Sequence, residues 1–122
     1  MSRYGLVPRR EYVLTGTPTF AHHLAVDRLL EAVASIYVGV SPIDLRGADK
    51  WDWLIEPRHV AMWIARNRIG LSYPALGLLF ERDHTTVIYA VRKIDQRITE
   101  DPDLERRIFK VEQAWIQWPS SR

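Results

Sequence analysis

Arg82-Asp83-His84-Thr85-Thr86-Val87, followed by Ile88-Tyr89-Ala90-Val91-Arg92-Lys93-Ile94, decides how this chain is read. Asp83 suits a helix N-cap, because a short carboxylate accepts from the amides that open a helix without partners. Val87, Val91, Ile94 and Ile98 then recur at three- and four-residue spacing and predict one apolar line along that helix. Its first turn carries imidazole, hydroxyl and methyl groups, which match the donors, acceptors and thymine methyl of a DNA major groove. Upstream, Ser72 can cap a shorter helix with Pro74 in its first turn, ending near Phe80 and followed by a two-residue turn. The pair, at about 72–98, has the outline of a helix-turn-helix, whose second helix enters the groove N-terminus first.

Working outward, the remaining segments are helical too. Leu24, Ala25, Leu29, Val33, Ile36 and Tyr37 predict a helix over 20–38, and Ser41-Pro42 starts a short helical turn through Leu45. Residues 46–56 read as a loop, after which Pro57 begins a helix to about Ile69. On that helix Ala61, Ile64, Ala65 and Ile69 make one face, while Arg58, Arg66 and Arg68 make a charged edge. Asp101-Pro102-Asp103 opens a last helix with Leu104, Ile108, Val111, Trp115 and Trp118 along it. No strand-like alternation of useful length appears. The expectation is an all-α, compact helical domain of five longer or shorter helices over 20–118. An N-terminal arm (1–19) and a short tail (119–122) flank it.

Composition narrows function without deciding it. The 122 residues are 47% hydrophobic and 26% charged, enough for one domain that buries roughly two thirds of its unfolded surface. There is no cysteine, hence no disulfide framework, cysteine-ligated zinc or thiol nucleophile. Without an apolar run of membrane length or a signal-peptide core, the expected location is cytoplasmic and nucleoid-associated. Net charge is only +2, and residues 41–98 hold nine Lys and Arg against seven Asp and Glu. Any nucleic-acid face must therefore come from the placement of a few cations.

The chemistry of that face is assigned residue by residue. Asp83 can accept from a cytosine amino group, His84 can donate to a purine or pack on a methyl, and Thr85 offers both hydroxyl and methyl. Arg66, Arg68, Arg82 and Lys93 can grip phosphates on either side, setting register rather than sequence. Asp83, His84 and Thr85 make no hydrolytic triad, since neighbours on one turn point apart, and no catalytic cluster stands elsewhere. His22-His23 lacks a third ligand at useful spacing, so neither a metal nor another cofactor is expected.

Further stretches carry a resemblance to a known family. Arg58-His59-Val60-Ala61-Met62-Trp63-Ile64-Ala65-Arg66, Leu71-Ser72-Tyr73-Pro74-Ala75-Leu76-Gly77 and Arg82 to Val87 resemble the C-terminal DNA-binding domain of the bacterial replication initiator DnaA. The likeness runs back through Val40-Ser41-Pro42-Ile43-Asp44-Leu45 and loosely forward to Glu100–Leu104, covering roughly residues 22–108. It implies a fold shared with Trp-repressor-like domains and double-stranded DNA as partner. It makes Asp83, His84 and Thr85 base readers, with Thr86 at base or backbone. Arg58, Arg66, Arg68, Ser72, Tyr73, Pro74, Arg82 and Lys93 fall along the DNA backbone.

Two departures bear on that resemblance. The family usually places two glycines before the Arg-Asp-His-Thr-Thr run, where this chain has Phe80 followed by Glu81 alone. The family's minor-groove loop is rich in arginine, whereas here Arg46 and Lys50 stand beside Asp49, Trp51, Asp52 and Trp53. Trp51 and Trp53 have two readings: core anchors of an irregular loop, or contacts for a protein partner. No GxxxxGK[ST] phosphate-binding loop occurs in the 122 residues. The resulting expectation is a stand-alone, sequence-specific DNA-binding protein that regulates transcription, akin to DnaA-like activators that regulate gene transfer agents. The alternatives are a replication regulator competing for DnaA boxes, or a protein-interaction module with reduced DNA affinity that contacts transcription or replication machinery.

Overall fold

The computed structural model describes residues 17–117. Trp118, the tail, and the proposed arm up to residue 16 lie outside the described residues. Six helices follow one another and no strand occurs among the described residues: α1 (Phe20–Ile36), α2 (Pro42–Arg46), α3 (Asp52–Ile64), α4 (Tyr73–Phe80), α5 (His84–Ile98) and α6 (Pro102–Ile116). Most helices begin on a side-chain cap. Thr19 caps α1 and its own amide donates to His22 Nδ1 at 3.0 Å, so His22 serves a capping box. Ser41 and Asp44 repeat the device on α2, and Ser72, Asp83 and Asp101 cap α4, α5 and α6.

The centre of the domain is α3, which corrects the sequence reading twice. First, it begins at Asp52, not at Pro57. Trp51 is its N-cap residue without a side-chain cap bond, and Pro57 sits one turn inside, leaving the Trp53 carbonyl without its usual amide. Second, α3 is buried on nearly all sides: Leu54, Val60, Ala61, Met62, Trp63 and Ile64 are all in the core. A helix surrounded by neighbours has no single apolar face to show in its spacing. Trp63, the largest fully buried side chain, donates Nε1–H to Asp95 of α5 at 2.8 Å.

Around α3 the other helices close the core. Val26, Leu29, Leu30, Ala32 and Val33 of α1 pack inward, whereas Leu24 lies at the surface, contrary to expectation. Val87, Val91 and Ile94 of α5, and Leu104, Ile108 and Val111 of α6, are buried as their spacing predicts; Trp115 packs partly against them. After Ile64 the chain widens into a π-helical turn (Ala65–Ile69) that Gly70 ends at φ 80°. One half-buried carboxylate ties the layers together. Glu56 accepts from Tyr37, from Arg97 at 3.1 Å and from Arg107 at 2.7 Å, joining α3 to the end of α1, to α5 and to α6.

Candidate nucleic-acid interface

Helices α4 and α5 meet through a tight corner. The Arg82 amide donates to the Gly77 carbonyl at 2.9 Å, and Glu81 adopts the left-handed conformation at φ 54°. Glu81 is the one non-glycine residue with positive φ among the described residues, at a place where the resembled family carries glycine. The corner thus places a side-chain-bearing residue in a strained left-handed conformation. Gly77 makes the close approach feasible: a Cβ there would lie 2.8 Å from the Arg82 carbonyl oxygen.

The first turn of α5 is exposed at all four expected base readers, Asp83, His84, Thr85 and Thr86. Asp83 Oδ1 accepts from the Thr85 amide at 2.8 Å and from the Thr85 hydroxyl at 2.7 Å. Those bonds, the hydroxyl one foremost, hold the Asp83 carboxyl below its ordinary range, so it is ionised at neutral pH. Neighbours expected to diverge are therefore in contact, as cap and capped group. His84 Nδ1 is 3.9 Å from the same oxygen, too far for a hydrogen bond, and its ring is free to face a ligand.

The cations expected along the DNA backbone fall into different environments. Arg58 is only 7% exposed, not part of a charged edge, and its guanidinium donates to the carbonyls of Asp44, at 2.7 Å, and Asp49. Arg82 donates to the carbonyls of Arg46, at 3.2 Å, and Gly47. Two guanidiniums thus clamp the 44–49 segment, one to α3 and the other to the corner before α5. Arg46 itself pairs with Asp27 of α1 at 2.9 Å. Arg66 donates to the Leu71 carbonyl at 2.9 Å and stacks 4.0 Å over the Tyr73 ring, and Arg68 pairs with buried Glu112 at 2.8 Å. Ser72 is buried as the α4 cap, accepting from the Ala75 amide at 3.2 Å, and Pro74 is exposed beside it. Lys50 and Lys93 are exposed with no ion pair among the described residues.

Between the clamped segment and α5 runs an open groove lined by Lys50, Ile55, His59, Thr86, Tyr89 and Lys93, among others. Thr86, Tyr89 and Lys93 lie three and seven residues apart and share one helical face, which continues from the exposed first turn of α5. Tyr89 was not singled out from sequence, although its spacing from Thr86 was the available signal. His59 packs edge-on against Tyr89 at 6.0 Å between ring centres. Burial, then the charges of Arg97, Lys93 and Arg58, push its imidazole below the ordinary histidine value and keep it neutral.

Trp51 and Trp53 are not core anchors. They are 60% and 52% exposed, because α3 begins earlier than expected and Leu54 takes the inward place in its first turn.

The family model described as the bacterial DnaA protein helix-turn-helix matches residues 26–94, more than half of the chain. This chain belongs to that family. It is similar to the chromosomal replication initiator protein DnaA of Pelobacter propionicus, 36% identical over 81 residues, covering 66% of this chain and 18% of that protein. It is similar to the chromosomal replication initiator protein DnaA 1 of Chlamydia muridarum, 43% identical over 65 residues, covering 53% of this chain and 14% of that protein. The DnaA of Lactococcus lactis subsp. cremoris is 34% identical over 94 residues, covering 76% of this chain and 20% of its own length. The chain therefore spans a fifth or less of each of these relatives. The shared region is the all-α, DNA-binding helix-turn-helix domain of DnaA, a binding rather than a catalytic family. Among the described residues no helix is long and apolar enough to cross a membrane.

Proposed function

We propose that this DnaA-type domain binds double-stranded DNA in a sequence-specific way, as a nucleoid-associated regulator of transcription. The observation that carries the reading is the first turn of α5. Four polar side chains, Asp83 to Thr86, are exposed there on a capped helix of a helix-turn-helix. Asp83, His84 and Thr85 read base edges, and Thr86 stands at the edge between base and backbone. Lys93 and Lys50, exposed on either side of the groove, supply phosphate contacts; Tyr73 and Pro74 at the start of α4, with Arg66 stacked on Tyr73, add backbone contacts. Arg68 and Arg82 keep partial exposure and contribute field more than direct grip, while Arg58 and Ser72 act by holding the scaffold in place.

Titration of the purified protein onto its preferred duplex tests this. His84→Ala weakens binding to that duplex by roughly tenfold while leaving binding to random duplex unchanged. Lys93→Ala weakens binding to both and lowers the salt slope by about one. Asp83→Asn is the informative change at the cap, because alanine there also removes a cap worth about 1 kcal/mol. Equal affinity of every variant for both duplexes contradicts the proposal.

A replication regulator competing for DnaA boxes is the second reading, supported by the replication-initiator relatives. Genome-wide occupancy separates the two: promoter sites support transcription, sites clustered at the origin support replication. Exposed Trp51 and Trp53 support a protein contact in either role, the partner then belonging to transcription or replication machinery.

A further inference from the structure

We propose that Asp83 and Thr85 form an acceptor-only pair toward DNA, so that binding requires an unmodified exocyclic amino group on the base facing Thr85. The inference rests on the reading of α5 given under Proposed function and specifies what that helix demands of its target.

A threonine hydroxyl is ordinarily ambivalent, donating or accepting as its partner requires. Here it is not. Thr85 Oγ1 lies 2.7 Å from Asp83 Oδ1, and the same oxygen accepts the Thr85 amide at 2.8 Å. An ionised carboxylate has no proton to give, so the proton in the Oγ1–Oδ1 bond belongs to Thr85 and is directed at Asp83. What Thr85 offers to a base is its remaining lone pairs and its methyl. Asp83 Oδ2, with no hydrogen bond among the described residues, is likewise an acceptor. In the major groove the donors that satisfy such a pair are the amino groups of adenine and cytosine; guanine O6 and thymine O4 are acceptors and are repelled. Each amino group spends one proton in its base pair and turns the other to the groove. A methyl in place of that second proton removes the donor. The helix is thereby sensitive to N6-methylation of adenine or N4-methylcytosine at one position of its site.

The test begins with selection from a random duplex library by the wild-type protein and by Thr85→Val, which keeps the shape and the capping amide but lacks the hydroxyl. The base pair whose preference changes is the one facing Thr85. Circular dichroism of both proteins verifies the fold. Duplexes are then made with that adenine or cytosine unmodified or N-methylated, and affinities are compared. The expected result is a loss of roughly tenfold or more on methylation for wild type and for Thr85→Ser, and little loss for Thr85→Val. The inference is overturned if wild type binds both duplexes equally, if Thr85→Val loses as much as wild type, or if Thr85→Val alters no position. Failure to enrich any duplex instead overturns the DNA-binding reading itself.

Discussion

The first turn of α5 and the 44–53 segment stand on opposite sides of one groove and use their polar groups in opposite ways. On α5 the cap is local: Asp83 bonds Thr85 two residues on, leaving His84, Thr86 and one Asp83 oxygen exposed. In the 44–53 segment Arg46 is taken up by Asp27 of α1, and the segment's own carbonyls are held by Arg58 and Arg82. What that segment shows to solvent is Ala48, Asp49, Lys50, Trp51, Asp52 and Trp53. Short-range bonding leaves a polar surface free; long-range bonding converts charge into scaffold. Spacing alone predicts a charged edge at Arg58, Arg66 and Arg68, but Arg58 is buried and Arg68 is held by Glu112.

The comparison can be broken most severely at Arg58. Removing a buried guanidinium leaves two carbonyls without donors, so Arg58→Ala is expected to lower stability by about 2–4 kcal/mol in urea unfolding. Lys50→Ala, on the same segment, should stay within about 0.5 kcal/mol of wild type yet weaken DNA binding. If Arg58→Ala unfolds like wild type, the clamp is not structural. On the other side of the groove, Gly77→Ala drives a methyl into the Arg82 carbonyl and is expected to cost about 1–3 kcal/mol. Its affinity for the preferred duplex should fall as well, because the corner aims α5.

Acid offers a gentler probe of inward-spent charge. Burial alone would raise the Glu56 carboxyl, but bonds from Arg107, Tyr37 and Arg97 outweigh it and leave it below 4.5. A depressed folded value means that the network's stabilisation is complete above the unfolded value and is lost as pH falls through the folded one. Urea midpoints measured from pH 7 to pH 3 should therefore decline below about pH 4.5, and less steeply in Glu56→Gln. The corner also offers a modest stabilising change. Glu81→Gly relieves a left-handed residue and should raise stability by about 0.5–1 kcal/mol, read as a higher urea midpoint. A fall would show that the Glu81 side chain contributes more than its backbone strain costs.

Much of the fold was legible because its signals are local. Ser72, Asp83 and Asp101 announce helix starts within three residues, and the Val87–Ile94 and Leu104–Val111 lines face the same core. The start of α3 was not legible, since Trp51 provides no side-chain cap and Pro57 imitates a first-turn proline. Nor was the burial of Leu30 rather than Leu24 on α1, which depends on where α6 packs. At the site, the residues proposed to read DNA stand in one contiguous run. The fate of the cations does not, because Arg58 and Arg68 find partners fourteen and forty-four residues away.

Enrichment of duplexes from a random library tests the central claim most directly. With wild-type protein at moderate salt, one short sequence is expected to emerge, and His84→Ala and Thr85→Val should each blur it at an adjacent position. A pool that stays random, or a sequence recovered unchanged by both variants, would contradict the assignment of the α5 first turn as the reader of DNA.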